Sequence, residues 1–126
     1  MYKQIIIILI IFFLIIAFDI LMQNNTKKTV NEINEMLSTL KNKMINNEKN
    51  LNSDINSIMN KWKEEYKTFG YYIEHNELEK VETELTKLRA NIEVEDYNTG
   101  IENLDSCIFI LNHISDKNSL KIINIF

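Results

Sequence analysis

Two kinds of hydrophobic pattern divide this chain of 126 residues. Ile5 to Phe18 are fourteen consecutive apolar residues, and Ile20, Leu21 and Met22 follow Asp19. Beyond them the apolar positions fall into a 3-4 spacing: Val30, Ile33, Leu37, Leu40 and Met44. Asn46, Asn47, Glu48, Lys49 and Asn50 interrupt it. The spacing resumes at Leu51, Ile55, Ile58, Trp62, Phe69 and Ile73, shifted by four residues, which reads as a stutter in a heptad repeat. A second helix comes next on Leu78, Val81, Leu85, Leu88 and Ile92, with Glu77, Glu79, Lys80, Glu82, Glu84 and Lys87 outside. A third uses Ile101, Leu104, Ile108 and Leu111, widened by Cys107, Ile110 and Ile114. Gly70 or the pair His75-Asn76 marks one corner, and Tyr97-Asn98-Thr99-Gly100 the next.

The continuous run predicts a membrane span. Residues 5–22 would make a helix of roughly 27 Å, at the low end for a bilayer. Strongly apolar side chains at ~0.3–0.6 kcal/mol each favour insertion by about 5–9 kcal/mol, against ~3 kcal/mol for an aspartate at mid-membrane. Asp19 lies near the end of the run, so insertion wins. Tyr2 and Lys3 suit a headgroup-level entry. A buried core helix is disfavoured because the run is apolar on all faces. A cleaved signal peptide is disfavoured because Ala17-Phe18-Asp19 is a poor cleavage site. An uncleaved signal anchor remains. Lys27 and Lys28 after the span do not favour a cytoplasmic N-terminus by count. The short leading segment points the other way, to a cell-membrane, single-pass protein with an extracytoplasmic C-terminal domain. Four residues precede the run, which predicts no cytoplasmic output domain.

Asn24-Asn25-Thr26 reads as a break and helix cap after the span. Composition then bears on helix length: no proline occurs, and only two glycines. A helix from 27 to 73 would be roughly 70 Å long, which divides into a stalk and a bundle helix. The predicted fold is all-α: an N-terminal transmembrane helix, a long stalk helix and a three-helix antiparallel bundle. Its parts are a transmembrane signal anchor at 1–22, a helical stalk at 23–50 and a bundle at 51–126. The bundle ends in an apolar tail, Ile122, Ile123, Ile125 and Phe126, which is predicted to fold back on it. The stalk seam, Val30, Ile33, Leu37, Leu40 and Met44, has no intrachain cover in this arrangement. A homodimeric coiled coil would bury it.

Charge and candidate chemistry narrow the function. Fourteen basic and eighteen acidic residues give a net charge of −4, unlike a nucleic-acid binder. One cysteine excludes a disulfide scaffold; Cys107 reads as a small buried hydrophobe, with an intermolecular disulfide as the alternative. His75 with Glu74 and Glu79, and His113 with Asp116, could meet at one end of the bundle, but a metal needs three or four converging ligands. No phosphate loop, catalytic triad order or CxxC motif occurs. The expectation is no enzyme and no cofactor. Trp62, Tyr66, Phe69, Tyr71 and Tyr72 form an aromatic group before the corner. Adjacent Tyr71 and Tyr72 cannot share a helix face, so at least one is exposed. Tyr71, Tyr72, His75 and Phe126 are the candidate partner-binding residues.

The region from Trp62 to Phe126 resembles a small bacterial family of short single-span proteins, mostly from anaerobic spore-forming Firmicutes, known as domain of unknown function 4363. The resemblance rests on Trp62, the corner His75-Asn76-Glu77-Leu78, the heptad Leu78, Val81, Leu85 and Leu88, and the ending Asn124-Ile125-Phe126. It implies extracytoplasmic helices, no assigned activity and a multi-span membrane protein as partner, and no catalytic residues carry over from it. The expected function is a non-catalytic, membrane-anchored interaction or accessory protein. The alternative is a ligand- or metal-sensing bundle acting through a partner.

Overall fold

Asparagine sets the first turn of this chain. In the computed structural model, which describes the backbone of residues 1–125 and the side chains of residues 1–117, helix α1 runs from Tyr2 to Ile45. Asn47 (φ 58°) and Asn50 (φ 64°) then adopt left-handed backbone, which asparagine tolerates better than most residues. The Asn47 amide donates to the Met44 carbonyl and the Glu48 amide to the Lys43 carbonyl, both at 3.0 Å. That pair of bonds is a Schellman ending, which satisfies carbonyls the helix leaves open. The chain therefore reverses where the spacing shifts by four residues. The stutter is a turn, and the stalk of 23–50 is not a separate element.

Three further helices complete the chain: α2 (Asn52–Phe69), α3 (His75–Glu93) and α4 (Tyr97–Ile125). Each packs on its sequence neighbours, and α4 closes the ring against α1. Cross-helix pairs show the directions. Lys41 meets Asp105 at 2.9 Å and Asn34 donates to Asn112 at 2.8 Å, so α1 and α4 are antiparallel. Lys43 reaches Asp54 and Lys61 reaches Glu32, which sets α2 antiparallel to α1. The architecture is thus an up-down-up-down four-helix bundle, one helix more than the spacing predicts.

The added helix is the C-terminal half of α1, and this corrects the dimer seam. Val30, Ile33, Leu37, Leu40 and Met44 are at most 2% exposed within a single chain. They join Ile55, Ile58, Trp62, Leu78, Leu85, Leu88, Leu104 and Leu111 in one core. No surface is left there for a second copy. The residues after the span thus own a full core, because α4 and α2 cover the seam that a three-helix bundle would leave bare. Asn24-Asn25-Thr26 also departs from expectation: α1 passes through it unbroken, and the Thr26 hydroxyl donates back to the Met22 carbonyl at 2.8 Å.

The second far-end turn is Val94-Glu95-Asp96, not Tyr97–Gly100, which forms the first turn of α4. Glu95 (φ 58°) occupies the left-handed position of another Schellman ending, with the Glu95 amide donating to Ile92 and the Asp96 amide to Asn91. Asp96 accepts from the Thr99 amide at 3.4 Å and so caps α4. Gly100 serves packing rather than a turn: a Cβ there would lie 2.6 Å from Met44 Cε. The Tyr97 hydroxyl donates to the Glu48 carbonyl at 2.8 Å and ties the two far-end turns together. Burial first, and Glu95 second, push that phenol's pKa upward, which keeps it a donor. Left-handed backbone costs a side chain such as glutamate about 1–2 kcal/mol. Glu95→Gly is therefore expected to raise stability by about 0.5–1 kcal/mol after glycine's greater unfolded-state entropy is subtracted. A urea melt reads this, and a loss of stability would show that Glu95 makes a compensating contact.

Candidate functional site

The end of the bundle that adjoins the apolar run carries most of the distinctive side chains. α1 is continuous from that run into the core. Side chains from Ile5 to Ile15 are about half exposed or more, whereas Ile33 and Leu37 are fully buried. The change falls at Thr26, the first buried residue of the bundle. Among the described residues, α1 is the one helix long and apolar enough to cross a bilayer.

Directly across from Thr26 lies the α2–α3 turn, residues 70–74. The Thr26 Oγ1 and Tyr72 hydroxyl are 2.7 Å apart and share a hydrogen bond. Tyr72 is half-buried and stands edge-on to Phe69, with ring centroids 6.1 Å apart. Phe69 in turn packs on Trp62 at 5.8 Å, and Trp62 on Tyr66 at 6.2 Å. This aromatic column is core, as the sequence implies. Tyr71 is the exception at 87% exposed, so the adjacent tyrosines do face opposite ways.

His75 begins α3 and is exposed. Its Nδ1 lies 3.2 Å from the Tyr66 hydroxyl and its Nε2 2.9 Å from Glu79 Oε1. With Nε2 as donor to the carboxylate, Nδ1 accepts from the phenol, and both ring nitrogens are occupied. On the other face of α3, the nearly buried Glu77 lies 3.9 Å from His113 Nε2 and 3.7 Å from Lys117 Nζ. Lys117 also reaches Glu74 at 3.4 Å. The antiparallel α3–α4 pair thus brings both histidines to one end, but to different faces. Among the described residues, no group of three His, Cys, Asp or Glu side chains is placed to hold a metal ion. Phe126 and the tail residues Ile122, Ile123 and Ile125 lie outside the described side chains.

Other features depend on helix packing that sequence spacing does not show. α2 is flanked by two grooves. The one against α1, about 580 Å³, has Met36, Leu40 and Ile58 among its lining and Glu32, Asp54 and Lys61 around it. Lys61 bridges Glu32 at 2.9 Å and Glu65 at 3.8 Å, and its ammonium holds the Glu32 carboxyl below its ordinary value. The one against α3, about 330 Å³, is lined by Met59, Trp62, Leu85, Glu82 and Arg89. Trp62 Nε1 is buried without a hydrogen-bond partner. Thr26 and Thr29 are the available sequence signal for the near end: two threonines extend the apolar face of Val30 and Ile33 toward the run.

No curated protein and no solved structure matches the chain. A family model does match, and it covers residues 20–125. It starts within the last three residues of the apolar run, and it takes in all four helices of the bundle, including the half of α1 that reads as a stalk. The matched region therefore contains the whole four-helix bundle of this chain, and by this match the chain belongs to the family described as Domain of unknown function (DUF4363).

Proposed function

We propose that this is a non-catalytic, membrane-anchored accessory protein, a bacterial single-span signal-anchor chain that presents a helical bundle outside the membrane to a multi-span partner. The observation that carries the reading is the continuity of α1. One helix is apolar and exposed in its first half and bundle core in its second, with no break between. A flexible tether would let the bundle search space; a shared helix fixes it in height and orientation. That geometry suits a subunit held against a neighbour in the same bilayer. The exposed apolar face of residues 5–21 and the two grooves beside α2 are the surfaces open to such a neighbour.

One experiment reads both sidedness and partnership. Val94 is 73% exposed at the far end, and Cys107 is buried. Val94→Cys is expected to react with a membrane-impermeant maleimide on intact cells. Purified afterwards in mild detergent, the labelled chain is expected to bring a multi-span protein with it in stoichiometric amount. Labelling only after lysis would overturn the extracytoplasmic placement. Recovery of the chain alone would overturn the accessory role.

A further inference from the structure

We infer that the near end of the bundle is itself a lipid-contacting surface, with Tyr71 seated in the headgroup layer of the bilayer. The inference rests on the membrane-span reading of residues 5–22. The heights decide it. A bilayer's hydrocarbon core is about 30 Å thick and the headgroup regions bring the total to about 40–45 Å, which leaves roughly 5–7 Å of headgroup on each side. The apolar run ends at Met22, and Thr26 follows in the same unbroken helix, about 6 Å further on at 1.5 Å per residue. The Thr26–Tyr72 hydrogen bond fixes the α2–α3 turn at that height. The turn therefore lies inside the headgroup layer rather than above it.

The side chains there match the layer. Tyr71 is 87% exposed, yet it projects from a turn in which Tyr72 and Ile73 pack inward, as Phe69 does at the end of α2. A tyrosine with an apolar ring and a polar hydroxyl is the residue type enriched at membrane interfaces. Lys27 and Lys28, exposed on the adjoining turn of α1, add attraction for anionic headgroups. Among the described residues Tyr71 leaves most of its ring in the open, whereas a phenol held beside a membrane-crossing helix has a lipid surface to meet. The bundle then stands directly on the bilayer, anchored at two points, the span and the turn.

Single-tryptophan variants of the full chain in vesicles test this. Trp62→Phe removes the native fluorophore without breaking a hydrogen bond among the described residues, since Nε1 makes none there. In that background Phe12→Trp, Tyr71→Trp and Val94→Trp are reconstituted into phosphatidylcholine brominated either high or deep in its acyl chains. Tyr71→Trp is expected to lose at least half its emission to the shallow bromines and little to the deep ones. Phe12→Trp should be quenched by the deep bromines and Val94→Trp by neither. Quenching at position 12 without quenching at 71 would overturn the proposal and leave the span intact. No quenching at position 12 would overturn the span itself, and the proposal with it. Should Trp62→Phe fail to fold, a nitroxide on Tyr71→Cys in the natural background reads the same depth. Accessibility of that label to a water-soluble relaxant as high as at Val94→Cys would overturn the proposal.

Discussion

Leu37→Ala is expected to destabilise the bundle by about 3 kcal/mol, in the lower half of the range for truncating a fully buried leucine. Leu37 is 0% exposed and lies between the two rungs that join α1 to α4, Lys41–Asp105 and Asn34–Asn112. For roughly 100 residues of bundle this lowers Tm by about 12–24 °C. The measurement is a melt of the full chain in detergent, read by circular dichroism at two protein concentrations well apart. The intrachain core predicts a large shift that does not depend on concentration. A coiled-coil dimer on a stalk predicts the opposite: an unchanged bundle transition, and a separate loss of helix on dilution. The variant thus asks directly whether residues 30–44 belong to this chain's core or to a second chain's.

The heptad positions are legible in the sequence. Every apolar position read from the 3-4 spacing of α3 is buried, and so are Leu104, Cys107 and Leu111 of α4. The punctuation is legible only in part: the corner at Gly70 to His75 falls where it is read, with α2 ending at Phe69 and α3 beginning at His75, and the other two turns do not. The absence of proline and the scarcity of glycine suggest an unbroken helix past residue 50. The breakers at those two turns are Asn47, Asn50 and Glu95, and a left-handed asparagine or glutamate carries no sequence mark that distinguishes it from a helical one. Gly100 misleads in the reverse sense, since its small size admits Met44 and Asn91 rather than bending the chain. Without the turn at 46–51 the α1 seam has no visible cover, and a second chain is the natural way to supply it. The near-end site is legible only in part. An exposed member of the Tyr71-Tyr72 pair is expected from their adjacency, although they lie in the turn after α2 rather than on a helix. The Thr26–Tyr72 bond joins residues 46 apart and exists only because the ring of helices closes.

The other large effect is expected at Cys107. Its side chain is fully buried, and burial first, then the nearby Glu84 charge, push the thiol pKa up to about 12. At pH 8 an ordinary cysteine is about one-quarter thiolate, whereas this one stays almost wholly protonated, and the thiolate is the reacting form. Steric exclusion adds to this. Modification by a maleimide at pH 8 should therefore be slower than in urea by a factor of about a thousand or more, and the folded chain should form no disulfide-linked dimer on a non-reducing gel. Fast reaction without denaturant would mean that α4 does not sit in the register described. The raised pKa also has a sign. The unfolded thiol ionises from about pH 8.5 while the folded one keeps its proton, so this group's contribution to stability is complete below that pH and declines as pH rises toward 12. Because the slow reaction must pass through an opened state, its rate measures the population of that state when reclosing is fast. Leu37→Ala, at about 3 kcal/mol, should then accelerate labelling of Cys107 by roughly 150-fold, since each 1.4 kcal/mol is a factor of ten. The two residues lie on different helices of one core. Acceleration of that size would show that α1 and α4 open together as a single cooperative unit. An unchanged rate would show that residues 30–44 can detach without exposing the rest.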